Sequence, residues 1–148
     1  MSQTIAIGSD HGAFAAKEKL KGILEGLGYK VKDFGTTSPD SCDYPDIAIP
    51  LAKAVQAGKY DRGILLCGTG LGMSYAANRL PGVRAALCWS REVAKLAREH
   101  NDSNVLVLSG RHATIDPLEE IMKAWLETPF SNDERHQRRI NKIEGGCK

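Results

Sequence analysis

Hydrophobic positions along the chain follow two alternating patterns. Short runs rich in isoleucine, valine and leucine predict five strands, at residues 4–8, 29–34, 63–67, 83–88 and 104–109. The segments between them place apolar residues at helical spacing and predict helices at 13–27, 47–57, 71–80, 90–100 and 117–127. This alternation is typical of α/β proteins, in which helices cover both faces of a parallel sheet. We therefore expect one α/β domain over residues 1–148, with helices on both faces of a five-stranded parallel sheet.

Several residues mark the ends of these predicted elements. Gly28 stops the first helix, and Pro81-Gly82 closes the third. Asp116 is the expected N-cap of the fifth helix, with Pro117 at the first helical position. The longest irregular stretch, from Gly35 to Pro45, is predicted to be a surface loop near the functional site.

The polar tail of the chain predicts one more helix, at about 131–144, with Ser131 or Asn132 as its cap. It has few apolar side chains, so we expect that it cannot hold itself against its own domain and lies across a partner subunit. Arg135 and Arg139 are four residues apart and would share one helix face, where they could grip a phosphate together. A solvated basic face is the plainer interpretation of this run.

Composition and charge exclude several classes of protein. With 42% hydrophobic and 26% charged residues, the 148-residue chain is ordinary for a globular protein. The net charge of +2 gives no broad basic surface for nucleic acid. No apolar run is long enough to cross a membrane, and the first residues do not resemble a secretory signal. We expect a cytoplasmic protein that binds neither nucleic acid nor membrane.

The four cysteines are widely spaced and form no disulfide or zinc pattern. Cys42 and Cys88 are interpreted as small hydrophobic residues, and Cys147 as part of the tail. Cys67 differs because it ends a predicted buried strand just before a glycine-rich loop. Exposed backbone amides and a helix N-terminus at that place favour the thiolate, so Cys67 is a candidate base or nucleophile.

The segment GILLCGTGLGMS, residues 63–74, gives the strongest signal in the chain. Glycines at 68, 70 and 72 leave backbone amides unobstructed where a helix begins, which favours anion binding. A tight turn that merely needs positive φ angles is one alternative. A dinucleotide-binding loop is another, but the third glycine of that fingerprint and the acidic residue after the next strand are absent, which disfavours NAD.

Polar side chains follow other predicted strands and one helix. Asp10-His11 follow the first strand, Gly110-Arg111-His112 follow the fifth, and His100-Asn101 end the fourth helix. Because ligands of open α/β sheets bind beyond the carboxyl ends of the strands, we expect these groups to converge on one rim. His112 is interpreted as a surface residue, and His136 as a phosphate or tail contact.

Five motifs together resemble the ribose-5-phosphate isomerase B family. They are GSDHG at 8–12, DYPD at 43–46, CGTGLGMSYAAN at 67–78, REHND at 98–102 and RHQRR at 135–139. The wider family includes allose-6-phosphate and galactose-6-phosphate isomerases. The resemblance implies a three-layer α/β/α, Rossmann-like fold with a five-stranded sheet ordered 2-1-3-5-4. It also implies a homodimer or a dimer of dimers with sites between subunits, and neither metal nor organic cofactor.

The resemblance also implies roles for individual residues. Cys67 would be the proton-abstracting base, Thr69 would assist proton movement between the sugar oxygens, and His100, oriented with Asp10, would open the furanose ring. The amides of Gly68, Thr69, Gly70, Leu71 and Gly72 would hold the enediolate. His11, Arg135 and Arg139 would hold the phosphate, while Tyr44, Asn101 and Arg111 would line the site.

The implied reaction interconverts D-ribose 5-phosphate and D-ribulose 5-phosphate. One branch of the family has a glutamate where this chain has Met73, so the branch with a cysteine base applies. Two alternatives stay open. One is an isomerase of six-carbon 6-phosphates, and the other is a phospho-sugar sensor that performs no proton transfer.

Overall fold

A five-stranded parallel sheet forms the centre of the structure, a computed structural model that describes residues 3–146. The strands are β1 (Thr4–Ser9), β2 (Lys30–Asp33), β3 (Arg62–Cys67), β4 (Ala85–Leu87) and β5 (Val105–Ser109). Their order is β2-β1-β3-β5-β4, and every neighbouring pair is parallel. The predicted α/β class and the strand order implied by the resemblance are both confirmed.

Six helices accompany the sheet: α1 (Phe14–Gly26), α2 (Pro45–Gln56), α3 (Leu71–Ala77), α4 (Arg91–Glu99), α5 (Leu118–Glu127) and α6 (Glu134–Gly145). Side chains of β1 alternate between the two faces of the sheet, so Ile5 and Ile7 pack with α1, α4 and α5, while Ala6 packs with α2 and α3. These two cores make the three layers. Within residues 3–146, no helix is both long and apolar enough to cross a membrane.

The start of α5 differs from the prediction. Pro117 is extended, with ψ of 146°, and serves as the N-cap, so the helix begins one residue later than expected. Asp116 was predicted to cap this helix, and that prediction is wrong. Its carboxylate instead accepts a hydrogen bond from the backbone N–H of Arg91 at 2.8 Å, at the beginning of α4. The loop after β5 passes that exposed amide, which needs an acceptor.

The tail forms a helix, but its details correct two expectations. Asp133 is the N-cap, with its carboxylate accepting from the Arg135 N–H at 2.8 Å, so neither Ser131 nor Asn132 takes that position. The helix also packs on its own chain. His136 and Ile140 are buried, and Glu144 forms an ion pair with Arg84 at 2.8 Å. The expectation that the tail cannot hold itself against its own domain is therefore wrong, because polar contacts supplement its small apolar face.

Candidate active site in two separated halves

The carboxyl ends of three neighbouring strands assemble one half of the site. Asp10 and His11 follow β1, Cys67 ends β3, and Arg111 follows β5. Backbone hydrogen bonds lock these ends together: Asp10 donates to Leu66 O at 3.2 Å, and Gly110 donates to Cys67 O at 2.8 Å. We name this half the carboxyl-edge cluster: Asp10, His11, Tyr44, residues 67–72 and Arg111. The sequence predicted this grouping for the residues that follow strands, and only the family resemblance suggested Tyr44.

Cys67 is 5% exposed, and its sulfur faces the glycine loop. The backbone N–H of Gly70 donates to Cys67 Sγ at 3.2 Å. Gly70 adopts a left-handed conformation, with φ of 84°, which brings its amide back over the strand end. Next in the loop, the Thr69 hydroxyl accepts from the Leu71 N–H at 3.1 Å. The glycine loop therefore directs a backbone N–H donor at the Cys67 sulfur.

The other cysteines of the described chain have different surroundings. Cys88 is fully buried among apolar side chains, and burial raises the pKa of its thiol to about 12. It therefore remains a neutral thiol, as its interpretation as a small hydrophobic residue requires. Cys42 is half-buried, and it contacts the site through its backbone, since its N–H donates to His11 Nδ1 at 3.2 Å. Cys147 lies outside the described residues.

The loop from Gly35 to Pro45 forms a wall of the carboxyl-edge cluster, as its predicted position near the site required. The Tyr44 ring lies directly over Gly72, where a Cβ atom would come within 2.6 Å of the ring. Tyr44 is 37% exposed, so its outer edge stays accessible beside the glycine loop.

Asp10 and Arg111 lie on either side of Gly12. The Asp10 carboxylate accepts from the Gly12 N–H at 2.9 Å and caps the short 3-10 turn His11–Ala13. The exposed Arg111 guanidinium lies against Gly12, and a Cβ there would be 3.0 Å from Arg111 Cζ. Arg111 is held from behind by its N–H, which donates to Gly68 O at 3.1 Å. His112, beside it, is exposed as predicted.

His100 does not join this cluster, and the prediction of a single rim is wrong. A helix that follows a parallel strand runs back along the sheet, so α4 begins at the carboxyl edge and ends at the amino edge. His100 directly follows α4 and precedes β5. The five residues of β5 alone separate the two edges by roughly 13 Å at about 3.3 Å per residue.

The amino edge collects the remaining site candidates. The helix α6 crosses this edge and brings His136 against His100, with ring centroids 4.3 Å apart. Arg135 and Arg139 lie on exposed positions of the same helix. We name this half the amino-edge cluster: His100, Asn101, Arg135, His136 and Arg139. Each chain thus carries both halves, on opposite edges of its sheet.

Contacts of two arginines, the buried Arg98 and the partly exposed Arg84, fix the turn that carries His100, and the sequence did not suggest them. Arg98 is 6% exposed; its Nε donates to Thr128 O at 3.0 Å and its Nη1 to Asp102 Oδ1 at 2.9 Å. Arg84 donates to Asp102 O at 3.0 Å and also binds Glu144 of α6. The ends of α4 and α6 are therefore tied together through Asp102.

A second missed feature is a buried lysine behind the wall loop. Lys17 is fully buried and donates to both Asp33 oxygens, at 2.9 and 2.8 Å, and to Thr36 O at 2.6 Å. Burial alone would raise the pKa of Asp33, but hydrogen bonds from Lys17 and Lys21 lower it. The available signal was spacing, since Lys17 lies three residues before Leu20 on the buried face of α1.

Metal-ligating groups are dispersed in the described part of the chain. Between residues 3 and 146, no three His, Cys, Asp or Glu side chains lie close enough together to hold a metal ion. The groups placed at the two edges are instead a thiol, imidazoles, guanidinium groups and backbone amides.

Comparison with known proteins shows the family of this chain. The family model described as Ribose/Galactose Isomerase matches residues 5–143. The chain belongs to the ribose/galactose isomerase family. It is an isomerase, and the resemblance drawn from its motifs is confirmed.

Individual members of the ribose/galactose isomerase family are similar over nearly their full length. Ribose-5-phosphate isomerase B of Escherichia coli is 42% identical over 139 residues, covering 94% of this chain and 93% of that protein. A crystal structure of a ribose 5-phosphate isomerase from Thermotoga maritima has a TM-score of 0.93 and 50% identity, covering 98% and 99% of the chains. A Mycoplasma genitalium ribose-5-phosphate isomerase B with bound ribulose-5-phosphate has a TM-score of 0.92 and 41% identity, covering 99% and 97%.

Proposed function

We propose that this isomerase interconverts D-ribose 5-phosphate and D-ribulose 5-phosphate through a cis-enediolate, with Cys67 as the base. The observation that carries the proposal is the position of Cys67 Sγ, at a strand end and 3.2 Å from the Gly70 N–H of the glycine loop. The substrate assignment is supported by the names of relatives, including the Mycoplasma genitalium protein with bound ribulose-5-phosphate.

The proposed chemistry needs one base on one face of an open-chain sugar. Cys67 thiolate takes the C2 proton of the aldose, negative charge passes to the oxygens of the enediolate, and the thiol returns the proton to C1. Thr69 assists transfer of the hydroxyl proton between O1 and O2. Amides of residues 68–72 stabilise the developing charge, and removing one such donor from an active site commonly costs about 10²-fold or more in rate.

The separation of the two clusters supports a site built from two chains. One chain offers the base, His11 and Arg111 at its carboxyl edge, but its own His100, Arg135 and Arg139 lie at the opposite edge. A second copy would bring His100, Arg135 and Arg139 from its own amino edge. A two-fold homodimer makes this exchange twice and produces two equal sites. Phosphate would then lie between His11 of one chain and the arginines of the other.

Solvent deuterium exchange tests the proton transfer directly. Incubation of ribulose 5-phosphate with the protein in heavy water should place deuterium at C1, and Cys67→Ala should abolish this while leaving phosphate binding nearly intact. Cys88→Ala removes another thiol of the same chain and should retain exchange, because Cys88 is buried as a neutral thiol away from the loop. Exchange that persists at the wild-type rate in Cys67→Ala would remove Cys67 as the base.

Mixed dimers test whether the site is shared. Cys67→Ala and Arg139→Ala chains, each poorly active, would be unfolded together and refolded. Random pairing makes half the dimers mixed, and one of the two sites in each mixed dimer carries neither lesion. Recovery should therefore approach about a quarter of wild-type activity. Absence of recovery, with mixed dimers demonstrated, would place both residues in one chain's own site.

The proposed substrate is narrower than the range that the family description covers. The family description names galactose as well as ribose, so kcat/KM should be compared between pentose 5-phosphates and hexose 6-phosphates. Much higher activity on a hexose phosphate would change the assigned substrate and keep the proposed chemistry.

The sensor alternative is set aside because the chain is an isomerase. We also place the reaction in the cytoplasm, and the three free cysteines among residues 3–146 fit a reducing compartment.

A further inference from the structure

From the sequence, His136 was interpreted as a phosphate or tail contact, but its side chain is buried. It is 7% exposed, whereas the neighbouring His100 and Arg135 are exposed. The His136 ring lies against the His100 ring, with centroids 4.3 Å apart and planes inclined by 33°. His100 follows the last turn of α4 and is exposed, and the stack gives one face of its imidazole a fixed surface to pack against.

Both ring nitrogens of His136 are also occupied. Nε2 lies 3.3 Å from Arg135 Nη2, and Nδ1 lies 3.2 Å from Ser131 Oγ. A guanidinium group only donates, so Nε2 must be the acceptor and the proton must lie on Nδ1, which donates to the serine hydroxyl. His136 is thus a neutral imidazole in one tautomer, and that tautomer fixes the direction of the Arg135 side chain.

The electrostatic surroundings favour the same neutral form. Burial lowers the pKa of His136, and its electrostatic interactions with His100, Arg135 and Arg139 lower it further, against the opposing effect of Asp133. A charged His136 would also lose the hydrogen bond from Arg135. The geometry and the charges therefore agree on an uncharged ring that accepts at Nε2.

The surrounding contacts hold His136 in this place relative to His100. Ser131 N–H donates to Glu99 O at 3.2 Å, which ties the segment before α6 to the last residue of α4. One turn after His136, Ile140 is buried, and at the far end of α6 Glu144 accepts from Arg84 and from the Gly82 N–H, each at 2.8 Å. The helix is anchored on both sides of the histidine.

We propose that His136 is a positioning residue that serves two groups at once: the face of its ring aligns the His100 imidazole, and its Nε2 aligns the Arg135 guanidinium. The inference rests on the proposed function, in which His100 opens the sugar ring and Arg135 binds phosphate. The ring face and the Nε2 atom of His136 therefore have different tasks. Stacking matters for ring opening, and the acceptor nitrogen matters for phosphate binding.

The two substrates allow these tasks to be measured apart. Ribose 5-phosphate is a furanose and must be opened before proton transfer. Ribulose 5-phosphate cannot close a five-membered ring, because the required C5 oxygen carries the phosphate. Deuterium exchange at C1 of ribulose 5-phosphate therefore reports proton transfer without ring opening, while isomerisation of ribose 5-phosphate requires both.

His136→Asn removes the ring, and His136→Phe keeps a ring without nitrogens. In His136→Asn we expect isomerisation of ribose 5-phosphate to fall about tenfold or more, since small misplacements of reacting groups have such effects, while C1 exchange stays within about threefold. In His136→Phe we expect the rate of ribose 5-phosphate isomerisation, which includes ring opening, to stay within about threefold of the wild-type rate. The KM of both substrates should rise about fivefold in each variant, as for one lost hydrogen bond.

Gln137→Ala is the matched control, because Gln137 is exposed on the same helix and its side chain donates a hydrogen bond to Asn141 of that helix. It should behave as wild type. Equal losses of isomerisation and exchange in His136→Asn, or no loss at all, would overturn the proposal. Wild-type protein that fails to exchange C1 would instead refute the proposed function itself, which keeps the two failures distinguishable.

Ser131→Ala covers the case in which His136 variants do not fold. Ser131 is exposed, and its hydroxyl stabilises the assigned His136 tautomer by accepting from Nδ1. We expect a shift of the His136 ¹⁵N resonances toward mixed tautomers and a KM raised about fivefold, with ring opening unchanged. Unchanged ¹⁵N resonances together with an unchanged KM would overturn the assigned hydrogen-bond direction and the proposal with it.

Discussion

The backbone N–H of Cys42 donates a hydrogen bond to Nδ1 of His11 at 3.2 Å. Because Nδ1 accepts, the proton of the neutral ring lies on Nε2, and that nitrogen is left as a donor. A donor suits the proposed role of His11 at the phosphate. The loop from Gly35 to Pro45 therefore does more than line the candidate site, since its backbone selects the tautomer of His11.

Removing this amide should weaken substrate binding. Cys42→Pro has no backbone N–H to donate, so His11 loses the partner that fixes its tautomer, and we expect KM to rise about fivefold with a smaller change in kcat. Cys42→Ala keeps the amide and loses the thiol, and steady-state kinetics should show it near wild type. The interpretation fails if the alanine variant is impaired as much as the proline variant.

A methyl group at Gly70 should damage both stability and turnover. The residue has φ of 84°, and a Cβ there would collide with the Leu87 side chain and approach the Leu108 backbone. We expect Gly70→Ala to lose about 1–3 kcal/mol of unfolding free energy. Displacement of its amide from Cys67 Sγ should lower kcat about tenfold or more.

Gly22→Ala controls for the change of residue type. Gly22 lies within α1 with nothing near its Cβ position, so this variant should gain up to about 1 kcal/mol from helix propensity. Denaturant titration and initial rates of both variants provide the measurements. A Gly70→Ala enzyme with wild-type kcat would show that the amide does not assist Cys67.

Loss of the buried amine at Lys17 should destabilise the fold. In Lys17→Met the Asp33 carboxylate keeps its hydrogen bonds from Lys21 and the Gly35 N–H. The Thr36 carbonyl loses its hydrogen bond from Lys17. We expect a loss of about 3 kcal/mol, measured by urea unfolding at fixed protein concentration. Lys19→Met, on the exposed face of the same helix, should change stability by less than about 0.5 kcal/mol. Similar losses in both variants would contradict a structural role for the buried ion pair.

Acidification should loosen the amino edge through His136. Its pKa is lowered by burial and by His100, Arg135 and Arg139, against Asp133, so the unfolded chain binds this proton more readily than the folded chain. The contribution to stability is present above the ordinary value near 6.5 and is lost as pH falls through the lowered folded value. Urea midpoints compared between wild type and His136→Phe from about pH 7.5 to 5 should converge as pH falls. A constant difference across that range would exclude the effect.

The fold was predictable because its signals are local. Apolar runs such as residues 63–67 predict strands, and the alternation of strands with helices predicts a parallel sheet. Errors came where an end depends on tertiary contacts, as at Asp116, whose carboxylate serves the amide of Arg91 in another helix. Strand β4 is likewise shorter than predicted, at Ala85–Leu87.

The site was predictable only in part. Residues that follow strands were placed correctly at one edge, since the rule for parallel sheets applies to them directly. His100 follows a helix, and its placement required the direction in which that helix returns. The contacts of Lys17 and His136 depend on partners 16 and 36 residues away along the chain, Asp33 and His100, which no local pattern specifies.

The opposite positions of Cys67 and His100 give the substrate a role in assembly. Under the proposed composite site, a sugar phosphate touches two chains, so its binding free energy adds to the free energy of their association. Empty dimers would then dissociate at higher protein concentrations than filled ones. Substrate abundance would thereby set how much of the protein exists in the paired form, and the pool of chains would respond to the supply of the molecule it converts.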